Sequence, residues 1–350
     1  MYRLGILGNC CTHGVGAVNA LKARQEVQLI AGYEANPRRA VELEAALGFQ
    51  LARSFEEVIG HPGIDIVVIA ADPCEKAHLV EKACLAGKHI FLNKPFSHTL
   101  ADARRLAKAV ASSKVKLVFD IPMVKFLPAL GRLKAEVRAG KYGKLISYYH
   151  AFGMTFAPDF PIRQLWPERF DPPAKAGGGE MTNMGCYAID FAVTLLGLPR
   201  TVQAKWMKFW QEYREAEVEN FGQIILDYGS FYALLAVGKQ QLATEPRRGN
   251  NHLSLLFETA NLFIDPYSET LLVNGVPGDF QQFLSGCPAE SAFEQLLRCI
   301  ETGAEPESNA ELGALGVEVT LAAYHSICQD GQVVSLPLKD GRNPLFGGSG

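Results

Sequence analysis

No stretch of this sequence approaches the ~20 consecutive apolar residues that a membrane-spanning helix needs. The longest strongly apolar run, Ile64 to Ala71, is interrupted by Asp65. Excess charge of either sign is also missing: 34 Lys+Arg against 37 Asp+Glu leave a formal net charge of −3. That balance offers no basic surface for nucleic acid or anionic lipid. The 8 cysteines form no CxxC pair and have no histidines at zinc spacing, so neither a metal centre nor a disulfide framework is expected. Internal repeats and low-complexity tracts are absent. An apolar strand begins within two residues of Met1, leaving no room for a targeting signal. The expectation is a cytoplasmic, enzyme-sized protein whose partner is a small molecule rather than nucleic acid or a membrane.

What is present is an alternation of strand and helix patterns over the first 120 or so residues. Tyr2–Leu7, Val27–Tyr33, Ile64–Ala70, His89–Leu92 and Lys116–Phe119 read as strands separated by helical stretches, which predicts a doubly wound parallel sheet of the Rossmann type over residues 1–122. After Pro122 the pattern changes. From Thr201 to Asn274 strand follows strand, with Tyr228-Gly229 and Asn274-Gly275 as turns, so residues 123–350 are expected to form an α+β domain built on an open, mainly antiparallel sheet. Between them, residues 153–179 carry five prolines and no clear periodicity. A connection that long inside a compact protein marks a functional segment.

The first strand runs into Gly8-Asn9-Cys10-Cys11-Thr12-His13-Gly14 and then a helix, the place where dinucleotide folds set a pyrophosphate on a helix N-terminus. The GxGxxG spacing is broken, with Cys10 and His13 standing where its second and third glycines belong. Glu34 ends the second strand, where a carboxylate can accept from ribose hydroxyls and favour NAD; Arg38 and Arg39 leave NADP open. Asn36 and Pro37 also suit a helix N-cap and first turn. Ala70 and Ala71, ending the third strand, complete the cofactor-contacting candidates together with Asn93 and Lys94.

Two further segments point to chemistry. Asn93-Lys94-Pro95 places a lysine at the end of a buried parallel strand, where open α/β sheets bind ligands. In Gly177-Gly178-Gly179-Glu180-Met181-Thr182-Asn183-Met184-Gly185-Cys186-Tyr187-Ala188-Ile189-Asp190, Asn183, Tyr187 and Asp190 share one helical face. His150, Arg163 and Trp166, with Arg169, are substrate-pocket candidates.

In order and spacing these motifs, with Ile66-Val67-Val68-Ile69-Ala70, Ala86-Gly87-Lys88-His89-Ile90, Leu321-Ala322-Ala323-Tyr324-His325-Ser326 and Gly331-Gln332-Val333-Val334-Ser335-Leu336-Pro337, resemble the glucose–fructose oxidoreductase / inositol dehydrogenase (Gfo/Idh/MocA) family across nearly the whole chain. The resemblance implies NAD(P)-dependent oxidation or reduction of a sugar, polyol or related cyclic alcohol, and homo-oligomerisation through the C-terminal sheet. The strand bearing Trp206, Phe209 and Trp210 fits a face buried by a partner subunit. The family's E-K-P lysine corresponds to Lys94; its glutamate is Asn93 here, and its D-x-x-x-H pair becomes Asn183 and Tyr187. Losing both carboxylates leaves the expected field around Lys94 more positive.

That field suggests Tyr187 as the proton-transfer group. Bringing a phenol from about 10 to neutrality takes roughly 4 kcal/mol, which one ammonium at about 4 Å can supply at an effective dielectric near 20. The competing assignment makes a desolvated Lys94 the acid/base, with Tyr187 and Asn183 orienting substrate. A cofactor- and sugar-sensing protein without turnover, and a redox-neutral epimerase or glycosidase with tightly held NAD, are the rival functions.

Overall fold

The computed structural model describes residues 1–241, 248–287 and 290–346. Five strands, β1 (Tyr2–Leu7), β2 (Val27–Tyr33), β3 (Ile66–Ile69), β4 (His89–Asn93) and β5 (Leu117–Asp120), form one parallel sheet in the order β2-β1-β3-β4-β5. Strands β3, β4 and β5 are nearly continuous buried apolar runs because helices cover both faces, whereas edge strand β2 buries only Val27 and Gly32. Helices His13–Leu21 and Pro37–Leu47 pack on one face, joined by helix Ala292–Thr302 from far along the chain through Phe293, Leu296 and Leu297. On the other face lie Lys76–Leu85 and Leu100–Ala111, through Leu79, Val80 and Leu106. Local sequence sets the helix starts: Asn36 accepts from the amides of Arg38 and Arg39 with Pro37 in the first turn, and Ser291 and Glu294 form a capping box.

The second sheet has nine strands: β6 (Leu145–Phe156), β7 (Thr201–Met207), β8 (Phe221–Asp227), β9 (Tyr232–Gln241), β10 (Arg248–Phe257), β11 (Asn261–Asp265), β12 (Thr270–Val273), β13 (Val276–Pro277) and β14 (Val334–Ser335). They lie in the order β13-β12-β11-β10-β6-β9-β8-β7-β14, with β6 and β9 parallel and the other pairs antiparallel. Helices Gly185–Leu196 and Ala310–Cys328 pack on one face. Alternation then separates buried Tyr148, Leu235 and Leu255 from exposed Tyr149, Leu234 and Leu256 on the other. The expected partner-facing aromatics differ from this. Trp206 meets Tyr324 because its parity in β7 points it inward; Trp210, beyond the strand, is buried against Phe156 and Tyr213 of its own chain, and Phe209 stays exposed.

Residues 153–179 are also more ordered than expected. β6 continues to Phe156, and short helical turns follow at Ile162–Leu165, Pro167–Phe170 and Pro173–Ala176, each started or preceded by proline.

Helix His13–Leu21 approaches β1 closely enough that a Cβ on Gly14 would stand 2.2 Å from the Gly8 carbonyl oxygen. Gly14→Ala is therefore expected to cost about 1–3 kcal/mol through overpacking, read as a lower denaturant midpoint. An unchanged midpoint would show that the helix can shift freely.

Candidate active site

The turn after β1 is shaped by contacts that exclude side chains. Gly8 has φ of +89°, and a Cβ there would stand 2.4 Å from the Ala71 Cα. Cys11 and Thr12 follow with φ of 50° and 63°, making the turn one residue longer than GxGxxG. Gly14, rather than residue 13, is thus the glycine at which the helix meets the strand. Asn9 secures the turn: its side-chain Oδ1 accepts from the Val15 amide at 2.9 Å, and its own amide donates to Glu34 Oε2 at 2.6 Å. Cys10 N donates to the Ala70 carbonyl.

Glu34 differs from the free ribose acceptor the sequence suggests. Its carboxylate also accepts from the Asn36 amide at 2.7 Å and from Arg39 at 2.9 Å, and Arg39 forms a second buried ion pair with Asp72 at 2.7 Å. Arg38 reaches Glu42 and Glu168.

At the end of β4, Lys94 is 4% exposed. Buried Lys76 braces its backbone by donating to the carbonyls of Asn93 and Pro95, a contact that sequence reasoning missed because Lys76 sits inside an ordinary amphipathic-looking helix. Lys94 Nζ donates to Asn183 Oδ1. Asn183 Nδ2 donates in turn to Glu180 at 2.7 Å, whose other oxygen accepts from Lys239 at 2.8 Å and the Tyr213 hydroxyl at 2.5 Å. Tyr187 presents its ring to Lys94, with Nζ 5.6 Å from the centroid, and packs on Phe152. Its phenol has no hydrogen-bond partner among the described residues. Asp190, one turn on, pairs with buried Lys125 at 2.8 Å.

The electrostatics follow from burial. Desolvation, reinforced by the Arg169 charge, brings Lys94 down to about 7. Burial pushes Tyr187 well above its ordinary value. The expectation that Lys94 draws the phenol toward neutrality is therefore corrected: the ammonium faces the ring and the amide of Asn183, not the hydroxyl. Burial raises Glu180, but the charges of Lys239 and Arg169 outweigh it and hold the carboxyl below its usual range. Cys11 falls to about 6 through its contact with Cys10, whose Sγ is 3.8 Å away, against the effect of burial.

Each asparagine that stands in for a family carboxylate is hydrogen-bonded to a carboxylate beside it. Asn183 holds Glu180, and Asn93 Nδ2 donates at 3.4 Å to Asp120, its register partner on β5.

The proline-containing segment lies over the Gly8–Gly14 turn. Glu168 pairs with Arg38, Lys175 with Asp72 at 3.3 Å, and Arg169 lines the remaining space with Cys10, Cys11 and Asn183. That cavity measures about 30 Å³, room for a water or two. The turn itself fits a diphosphate, since glycine at residue 8 and the start of helix His13–Leu21 form a backbone cradle. His13 Nε2 and Asn93 Oδ1, buried without partners among the described residues, are further open hydrogen-bonding positions near it. A dinucleotide would need the Arg38–Glu168 and Lys175–Asp72 pairs to part.

The other substrate candidates do not converge on Lys94. His150 is fully buried, with its ring nitrogens 3.2 Å from the Tyr148 hydroxyl and 2.9 Å from Asn251 Oδ1; burial brings it down to about 4. Arg163 is exposed and lies over Phe170 while donating to the Glu212 carbonyl. Trp166 packs with Phe156 and Phe160. No group of three His, Cys, Asp or Glu residues suited to a metal occurs among the described residues.

Comparison with known proteins matches residues 3–120 to an oxidoreductase family with an NAD-binding Rossmann fold, and residues 131–251 to the GFO/IDH/MocA C-terminal domain. The chain belongs to the GFO/IDH/MocA family. It is 29% identical over 206 residues to D-xylose dehydrogenase of Paenarthrobacter nicotinovorans, covering 55% of this chain and 51% of that protein. It is 25% identical over 199 residues to the scyllo-inositol 2-dehydrogenase (NADP(+)) IolW of Bacillus subtilis, covering 57% and 52%. The chain thus spans about half the length of the curated relatives it matches. The same fold occurs in an Agrobacterium radiobacter oxidoreductase solved with NAD+, L-tartaric acid and magnesium, at TM-score 0.79 and 18% identity over 95% of this chain and 98% of that one. Scyllo-inositol dehydrogenase from Lactobacillus casei, solved with NAD(H) and scyllo-inositol, superposes with TM-score 0.75 and 19% identity over 96% and 99%.

Glu168→Gln weakens one of the two ion pairs that hold the proline-containing segment over the turn. Stopped-flow fluorescence should show NAD association several-fold faster than in the parent, with a smaller salt dependence. Equal rates would mean that the segment does not limit access.

Proposed function

We propose that this family member is an NAD-dependent dehydrogenase or reductase acting on a hydroxyl or keto carbon of a sugar, polyol or related cyclic alcohol. The observation that carries this reading is the buried Lys94 amine, enclosed by Asn183 and Tyr187 at the carboxyl edge of the parallel sheet, on the same edge as the glycine turn. Nicotinamide, when bound, accepts or returns the hydride. Preference for NAD over NADP rests on Glu34, whose carboxylate would repel a 2′-phosphate, and on Arg39 being held by two buried ion pairs.

Lys94 is the proposed proton-transfer group. Near neutrality its amine form can take the proton of a substrate hydroxyl, and its ammonium form can return one to a carbonyl. Asn183 holds the amine in place, being unable itself to exchange a proton. Tyr187, kept neutral by burial, offers a phenol that can donate to or accept from the substrate oxygen and orient it. The exposed sheet face with Tyr149, Tyr232, Leu234 and Leu256 is the proposed contact with a second copy of the chain; in that case Leu234→Lys should lower the mass seen by sedimentation, and an unaltered mass would remove this face from consideration.

Nicotinamide absorbance across a panel of sugars and polyols tests the activity directly; silence with every member sinks the dehydrogenase reading. For an active substrate, Lys94→Met should cost about 10²–10⁴-fold in kcat/KM. The sign of the pH dependence follows from the proton inventory. Oxidation needs the amine, so kcat/KM in that direction should rise with pH through about 7, and reduction should fall over the same range. Tyr187→Phe should lower the rate yet keep that inflection; its disappearance would return proton transfer to the phenol.

A further inference from the structure

We infer that Asp120 is the group through which the Lys94 proton reaches solvent, and that the groove between helices His13–Leu21 and Ala292–Thr302 is its way out. The inference rests on Lys94 acting in proton transfer as proposed above.

A buried base must exchange its proton with water once per turnover, and Lys94 has two polar branches around it. The first runs through Asn183 to Glu180, which is 1% exposed and already bonded to Lys239 and Tyr213. Glu180 is also stabilised as a carboxylate by Lys239 and Arg169, so it is a poor proton acceptor and leads nowhere. The second branch lies across the strand ends. Asp120 terminates β5 in register with Asn93 of β4, immediately before Lys94, and accepts one long hydrogen bond from Asn93 Nδ2. It has no ion pair among the described residues.

Asp120 opens onto a groove of about 550 Å³. His13, Asn93, Phe91, Phe293, Arg24 and Glu294 line it together with Asp120. The space accommodates a chain of waters, whereas the cavity under the proline-containing segment does not.

The charged and titratable groups around Asp120 favour exchange with Lys94. Burial pushes Asp120 up to about 7, with the Asn93 hydrogen bond and the Lys94 charge opposing a further rise. Burial and the Arg169 charge bring Lys94 down, so the two groups shift toward each other. From the opposite helix, His13 is held neutral by burial and by the charges of Lys94 and Arg169. Tyr187, which feels the Asp120 charge, is held neutral by burial. Arg24, which also lines the groove, is paired with Glu26 and Glu294.

The proton balance closes in three transfers. In oxidation the hydroxyl O–H bond breaks and its proton adds to Lys94 Nζ, while the carbon's hydride leaves with its electron pair for the nicotinamide. The resulting ammonium gives one proton, across water, to the Asp120 carboxylate. The carboxyl then releases it into the groove, so one proton reaches solvent per hydride transferred.

Titration of cofactor-free protein carrying [γ-¹³C]aspartate tests the group without any turnover. One carboxyl signal, missing from Asp120→Asn, should titrate near neutrality; titration near 4 would overturn the inference. With a substrate found in the panel, Asp120→Ala should lower kcat by about 10–100-fold, a loss in the range of general acid–base effects, and millimolar imidazole should restore much of it by entering the groove. An impaired variant with no imidazole response and an unaltered pH profile would reduce Asp120 to a structural role. Ala20→Phe, which narrows the groove without touching Asp120, should slow proton release while leaving the aspartate titration in place; an unimpeded rate would exclude the route. Were no alcohol in the panel oxidised, the dehydrogenase reading would fail, and the titration would still decide whether Asp120 is poised to exchange protons.

Discussion

A lysine amine kept out of water, with an amide as its hydrogen-bond partner, sets the requirements that the surrounding structure meets. Burial disfavours the ammonium, so Lys94 holds its position only if the backbone carrying it is fixed and its one donor contact is satisfied. Lys76 meets the first condition from beneath, donating to carbonyls on both sides of Lys94. Asn183 meets the second. The parallel sheet supplies the platform, because β4 and β5 end together and bring Asn93, Lys94 and Asp120 to one edge. The second sheet and its helices supply the enclosure, through Tyr187 and the Glu180 network.

The long segment after β6 connects this centre to the nucleotide turn. Glu168 and Lys175 clasp the outer residues Arg38 and Asp72, while Arg169 lies between the turn and the Lys94 cluster and lowers the amine's proton affinity. Separation of the segment would therefore do two things at once. It would open space over the Gly8–Gly14 turn and withdraw the Arg169 charge from Lys94. Cleft opening and the proton affinity of Lys94 are thus coupled by simple electrostatics.

Much of this architecture is legible in the sequence because it depends on local, periodic signals. Buried strands alternating with helices, the Asn36-Pro37 cap and the antiparallel run after residue 200 all depend on neighbours in the chain. The departures have tertiary causes. The turn after β1 is one residue longer than its glycine pattern suggests because Cys11 and Thr12 adopt positive φ, which composition does not reveal. Glu34 is occupied by Arg39, five residues away but across a helix turn. His150 and Trp206 look like site or interface residues until strand parity buries one and turns the other inward. Asp120 and Glu180 were hidden for a further reason. A carboxylate's importance here depends on which amide it touches, and those contacts join strand ends or successive positions in a kinked helix.

The two asparagines then have a common physical effect. Were residue 183 an aspartate in the same place, its contact with Lys94 would be an ion pair. At about 4 Å and an effective dielectric near 20, such a pair is worth roughly 4 kcal/mol, or about three pK units. Lys94 would return to the range of an ordinary ammonium and stay charged at neutral pH. An amide satisfies the same donor without that charge, and the displaced carboxylates on Glu180 and Asp120 remain close enough to temper the cluster without fixing the proton on the lysine. Because Glu180 is anchored by a second lysine and Asp120 is not, only one of them is free to exchange. The asymmetry between a closed, fully paired carboxylate and an open, weakly bonded one gives the site a direction for its proton.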